Sequence, residues 1–219
     1  MGPRMVTANE LVRPRFAGRS IDVIAHRGFS GSYPENTLPA FQAAIAASAS
    51  MIELDVALSA DRRPIVIHDD TLERTTTGRG KVADLSLSDL RRLDAGSWFA
   101  PHFKGTRLPS LSQVLRLICR RSIHLNIEIK PECLDERLMP DGIEYQVIHE
   151  VDRFHLQDRV IISSFEWKIL ERIRDIDSSL RIGLLYEGNL KPIKLKKLSK
   201  KYRIFSFNPY WGKVYPDFV

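Results

Sequence analysis

The segment from Met51 to Leu58 alternates aliphatic side chains with carboxylates, and this alternation constrains the fold more than any other feature of the chain. In a strand, successive side chains point to opposite faces, so Ile52, Leu54 and Val56 share one face while Glu53 and Asp55 share the other. The same rule separates Leu125, Ile127 and Ile129 from Asn126, Glu128 and Lys130. Polar groups also interrupt apolar stretches at Ala25-His26-Arg27-Gly28 and Ile65-Val66-Ile67-His68-Asp69. Leaving such a charge uncompensated in a buried sheet costs about several kcal/mol. A metal-assisted active site is the candidate for what compensates it. A solvated antiparallel strand would alternate too, but the surrounding pattern is not that of a solvated meander.

Along the chain, strand-like and helix-like stretches take turns. Ile21 to Ala25 reads as a buried strand, turn residues follow to Pro34, and Thr37 to Ser48 suits a helix. Met51 to Leu58 turns at Ser59 to Arg63 into Pro64 to His68, and a long polar excursion runs from Asp69 to Pro109. Helical patterns at 111–119, 142–154, 166–176 and 193–201 then alternate with strands at 123–130, 160–163, 180–186 and 204–207. Such alternation predicts βαβ units on a parallel sheet, either a closed barrel or an open doubly wound sheet. A turn centred near Ala60 and Asp61 places His68 roughly opposite Asp55. His26, His68 and Glu128 all fall at strand ends on one rim, where α/β folds keep their chemistry.

Taken in order, His26-Arg27-Gly28, Pro34-Glu35-Asn36-Thr37, Glu53-Leu54-Asp55, His68-Asp69, Leu93-Asp94-Ala95-Gly96-Ser97-Trp98-Phe99 and Ile127-Glu128-Ile129-Lys130 resemble the glycerophosphodiester phosphodiesterases, of the phospholipase C-like phosphodiesterase superfamily. The ordered set spans roughly residues 21–130, and weaker similarity continues through Ile161-Ile162-Ser163-Ser164-Phe165. The resemblance implies a metal-dependent TIM-type (β/α)₈ barrel that cleaves glycerophosphodiesters to sn-glycerol 3-phosphate and an alcohol, with a capping insertion at about 59–109. It also implies attack by the substrate's own glycerol hydroxyl, giving a cyclic phosphate that water opens.

The side chains suit that chemistry. Glu53, Asp55 and Glu128 are hard oxygen ligands for Mg²⁺ or Ca²⁺. His26 and His68 are the expected general acid and base, and sequence leaves open which is which. Arg27 and Lys130 are the expected phosphate ligands. Glu35 and Asn36 read as loop and cap residues, with Asn36 capping the helix that begins near Thr37. Thr75 to Gly80 reads as a turn. Two further readings of the same residues are a lysophospholipase D-like enzyme, with Trp98, Phe99, Phe103, Phe165 and Trp211 lining an apolar channel, and a non-catalytic barrel that binds phosphodiesters or a partner.

Composition enters at the margins. A length of 219 residues with 43% hydrophobic content suits one domain with a substantial core. Cys119 and Cys133 flank a strand roughly 25 Å long and are expected as free thiols, in keeping with a cytoplasmic enzyme. Residues 1–19 read as a tail without the apolar core of a signal peptide, and 20–219 as the barrel domain. The net charge of +6 favours anionic ligands, here a small glycerophosphodiester rather than nucleic acid. Lys191, Lys194, Lys196, Lys197, Lys200 and Lys201 form a solvated basic face, with peripheral membrane contact as the sharper reading. Strand-like stretches near 23, 53, 127, 161, 183 and 205 make six where a closed barrel has eight. The barrel is therefore expected to lack its last two βα units and to self-associate through an open edge.

Overall fold

The computed structural model describes residues 23–187 and 192–210, with side chains described from 196 onward in the second range. The proposed tail, Lys191, Trp211 and the segment from Tyr215 to Val219 lie outside the described residues.

Strands β1 (Ile24–His26), β2 (Met51–Leu58), β4 (His124–Ile129), β5 (Val160–Ser164), β6 (Arg181–Tyr186) and β7 (Ser206–Pro209) form one parallel sheet in the order β1-β2-β4-β5-β6-β7. β3 (Pro64–Val66) pairs antiparallel with β2. Helices α1 (Leu38–Ala46), α3 (Leu111–Ile118), α4 (Ile143–Arg153), α5 (Trp167–Ile176) and α6 (Pro192–Tyr202) alternate with the strands, and a short α2 (Leu87–Leu90) lies between β3 and α3. The sheet curls into a half-barrel of the TIM-like α/β type.

Local chemistry starts each helix. Thr37 accepts the Ala40 N–H and Pro39 sits in the first turn of α1, where its missing N–H is no loss. Ser110 and Gln113 cap α3 reciprocally. Leu111, Val114, Leu115 and Ile118 then recur at helical spacing and are buried. These residues, with Val147, Val151, Ile169 and Ile173, pack on the outer face of the sheet, which presents Ile52, Leu54, Val56, Leu125, Ile127 and Ile129. Each such side chain contributes roughly 1.5–3 kcal/mol by leaving water. Between α4 and α5, buried Glu144 accepts a hydrogen bond from Arg172 at 3.0 Å.

The opposite face of the same strands is polar and also buried. Register sets Asp55 beside Glu128, Glu128 beside Ser163, and Ser163 beside Gly183. All eight residues of β2 are buried, so its carboxylates are held where water cannot solvate them.

The hairpin differs slightly from expectation. β3 ends at Val66, the Ile67 N–H donates to the Asp55 carbonyl, and His68 lies one residue beyond that pairing rather than opposite Asp55. The register follows from the turn, where the Ser59 N–H donates to the Arg63 carbonyl and Leu58 pairs with Pro64, and the length of the pairing follows from the edge β3 uses. Residues of one parity in β2 direct their backbone groups to one side: Met51 bonds Val23 and Asp55 bonds Ile67, while Val56 bonds Lys130 of the strand on the other side. β1 and β3 therefore share one edge of β2, β1 along 51–53 and β3 along 56–58, and β1 blocks further pairing. Residues 67–109 leave the sheet at this point and return to it, where Val66 donates to the Pro109 carbonyl.

Candidate active site

Three carboxylates meet at the carboxyl ends of β2 and β4. One ligand oxygen each from Glu53, Asp55 and Glu128 lies within 4.8 Å of the others. Glu53 Oε1 and Asp55 Oδ1 are buried without a hydrogen-bond partner. Burial, then the neighbouring Asp55 charge, pushes the Glu53 pKa up to about 8, and the same two causes raise that of Glu128. Lone carboxylate oxygens aimed at one another in a dry pocket are what a hard divalent cation neutralises, so the donor set fits such an ion.

The loop after β1 closes one side of the pocket. Arg27 and Gly28 both adopt positive φ, 55° and 83°. A Cβ on Gly28 would stand 2.8 Å from the Ala40 backbone, so only glycine lets the chain turn so close to α1. The turn aims the Arg27 N–H at Glu53 Oε2, 2.8 Å away, and sets its guanidinium 3.3 Å from Asp55 Oδ2 and 3.0 Å from Glu35 Oε1. His26 Nε2 stands 3.8 Å from Glu53 Oε2 on the exposed rim. Desolvation against the rim and the adjacent Arg27 charge lower its pKa.

Asn36 has a different role from the one expected. Thr37 caps α1, and Asn36, at φ 57°, donates from Nδ2 to Asp55 Oδ2 at 2.8 Å and accepts the Asp55 N–H at 3.3 Å. Asparagine tolerates this left-handed backbone, and the contact to a residue 19 positions away takes precedence over local capping. The Pro34-Glu35-Asn36-Thr37 motif is the signal in the sequence, as part of the family resemblance, with a site role secondary to the turn and cap reading.

Lys130 Nζ lies 2.8 Å from Glu128 Oε1 and 3.7 Å from Asp55 Oδ1. Burial would lower its pKa, but the Glu128 bond and the two carboxylate charges outweigh that and raise it. With Arg27 it places two cations against the three carboxylates. Lys130 also lines a cavity of about 500 Å³ together with His68, Asp69, Asp70, Glu132, Phe165 and Glu187. Of the described residues expected to line an apolar channel, only Phe165 faces this cavity, beside Asp69, Asp70, Glu132 and Glu187. Trp98, Phe99 and Phe103 pack edge to face on one another instead, and Phe103 leans on Tyr33.

His68 enters from the polar excursion. Its Nδ1 lies 2.6 Å from Asp69 Oδ1. The Asp69 pKa is held at about 2, first by its bond to Arg74 and then, against the opposing effect of burial, by that to His68. An ionised carboxylate can only accept, so Nδ1 carries a proton, and in the neutral ring the free lone pair is then at Nε2. His68 is close enough to act electrostatically on His26 and Glu128.

Outside the site, Cys119 and Cys133 are both free, and burial pushes the Cys133 thiol up to about 12. Lys196, Lys197, Lys200 and Lys201 are exposed on α6. Among the described residues no helix is long and apolar enough to cross a membrane.

A half-barrel of parallel strands with helices between them and an acidic pocket at β2 and β4 defines a TIM-like α/β protein. The family model of the glycerophosphoryl diester phosphodiesterase family matches residues 26–215, and the chain belongs to that family. A glycerophosphodiester phosphodiesterase of Caldanaerobacter subterraneus subsp. tengcongensis is 40% identical over 197 residues, covering 90% of this chain and 79% of the relative. YhdW of Bacillus subtilis, named a putative member of the same class, is 39% identical over 84% of this chain and 73% of its own length. Among solved structures, an Oleispira antarctica phosphodiesterase in complex with its product sn-glycerol-3-phosphate matches with a TM-score of 0.79 at 27% identity, covering 93% of this chain and 77% of that one.

Proposed function

We propose that this chain hydrolyses glycerophosphodiesters to sn-glycerol 3-phosphate and an alcohol, with a divalent cation held by Glu53, Asp55 and Glu128. The observation that carries this reading is the buried carboxylate trio with orphaned oxygens, on the same rim as two histidines, in a chain of this family. Bound there, Mg²⁺ or Ca²⁺ would supply Lewis-acid stabilisation of charge developing on a phosphate oxygen.

The chain's own residues divide the remaining work. Arg27 and Lys130 bind phosphate oxygens, Arg27 by its planar fork and Lys130 as a point charge. His68, with Nδ1 committed to Asp69, accepts the proton of the substrate's 2-hydroxyl at Nε2 as that oxygen bonds to phosphorus. His26 donates a proton to the alcohol oxygen as its bond to phosphorus breaks. Water then opens the cyclic phosphate with the two imidazoles in exchanged roles. The polar, acidic lining beside His68 suits a water-soluble head group better than an acyl chain.

The test is release of glycerol phosphate from glycerophosphocholine after chelation, with Mg²⁺ or Ca²⁺ restored. Turnover should return with the metal and disappear in His26→Ala and His68→Ala. Absence of turnover at saturating metal would overturn the enzymatic reading.

A further inference from the structure

Arg74, in the 67–109 excursion, uses one guanidinium to grip two carboxylates from distant parts of the chain. Its Nε and Nη2 donate to Asp69 at 2.5 and 3.0 Å, and its Nη1 and Nη2 donate to Glu35 at 3.0 and 2.8 Å. Glu35 also accepts from Arg27, whose Nε lies 3.3 Å from Asp55, and Asp69 accepts from His68. An unbroken series of alternating charges thus runs from Asp55 through Arg27, Glu35 and Arg74 to Asp69, which holds His68 by a hydrogen bond.

We propose that Arg74 is a positioning residue, locking the His68–Asp69 pair of the excursion to the β1 loop so that the His68 imidazole keeps one tautomer and one orientation toward the carboxylate pocket. This rests on the functional reading above for its kinetic consequences, but not for its structural ones. The geometry favours positioning over stability. Arg74 is 43% exposed, so water screens its ion pairs and discounts what they add to folding, although their bidentate, networked geometry lifts that contribution above an isolated surface pair's. Here both forks are used, which lysine's single ammonium cannot reproduce. Glu35 and Arg74 stand 39 positions apart, so the bond joins two segments whose relative placement the local chain does not dictate.

The experiment compares wild type, Arg74→Ala, Arg74→Lys, Asp69→Asn and the Arg74→Ala/Asp69→Asn double variant in metal-loaded protein with glycerophosphocholine. Arg92→Ala, an exposed pair with Asp89 in the same excursion, is the control. Arg74→Ala should lower kcat by about 10–100-fold, the scale for groups that orient catalytic side chains, leave KM nearly unchanged, and lower Tm no more than Asp69→Asn does. Arg74→Lys should recover part of the loss, the double variant should be no worse than Asp69→Asn, and Arg92→Ala should match wild type. In parallel, the ¹⁵N resonances of the neutral His68 ring should report one tautomer in wild type, with the proton on Nδ1, and a mixture in Arg74→Ala. This second readout needs no turnover, so an inactive wild type would sink the functional reading while still testing Arg74. Unchanged kcat, losses that add in the double variant, or the same single tautomer in Arg74→Ala would overturn the proposal.

Discussion

The two halves of the site are built by different means. Glu53, Asp55 and Glu128 sit on β2 and β4, where a continuous ladder sets Asp55 directly beside Glu128 and every β2 side chain is buried. His68 lies beyond the last pair of β3, and Asp69 and Arg74 hold it through partly exposed ion pairs. Backbone register determines the first half, and side-chain charge determines the second. A ladder moves only when the sheet moves, whereas ion pairs can loosen one bond at a time. The carboxylate half should therefore fail in metal binding, and the histidine half in catalysis at intact metal binding.

The largest expected effect lies in the ladder half. Asp55→Asn keeps the shape of the side chain but removes the most buried of the three carboxylates. Turnover should fall on the order of 10⁴-fold, as when a catalytic aspartate is removed elsewhere. Calorimetric metal binding should be lost with it. Metal-stimulated turnover within tenfold of wild type would break the division between the halves.

Asn36→Ala probes the same half at one remove. It removes both bonds to Asp55 and leaves the Asp55 N–H without its side-chain partner. Metal affinity should drop about 10–100-fold, the usual scale for a group that orients a ligand. If kcat at saturating metal fell and affinity did not, Asn36 would belong with the histidine half.

What was legible in the sequence follows the same division. The period-2 alternation of 51–58 and 124–129 assigned the carboxylates to one face, and the strands lie where that pattern put them. Alternation is a backbone property, and one strand carries it complete. Asn36 was misread because its partner is Asp55, and turn chemistry at the local level accounted for it equally well. The Arg74–Glu35 contact has no local signature, since the two residues are 39 positions apart and Arg74 lies in an excursion without regular periodicity. His68 lies one residue from the position opposite Asp55 because the hairpin is centred on Asp61, a detail of turn geometry that the apolar pattern does not specify.

The smallest expected effect separates the halves by sign. In the metal-free protein the Glu53 pKa, about 8, lies above its unfolded value of 4.5, so between those pH values the folded state binds more protons than the unfolded state. Stability from this group is therefore present at low pH and falls as pH rises through that window, by on the order of a few kcal/mol at most. Asp69 behaves oppositely: its pKa, about 2, lies below its unfolded value of 3.8, so its contribution is present at neutral pH and falls as pH drops from about 4 toward 2. Thermal melts in chelator, run from pH 2 to 9, should decline with rising pH between 5 and 9, and added Ca²⁺ should remove that decline by neutralising the carboxylates. Arg74→Ala should leave the alkaline slope unchanged and flatten only the acid limb. A variant of the excursion that changed the alkaline slope would mean that the two halves are coupled more tightly than register on one side and ion pairs on the other imply.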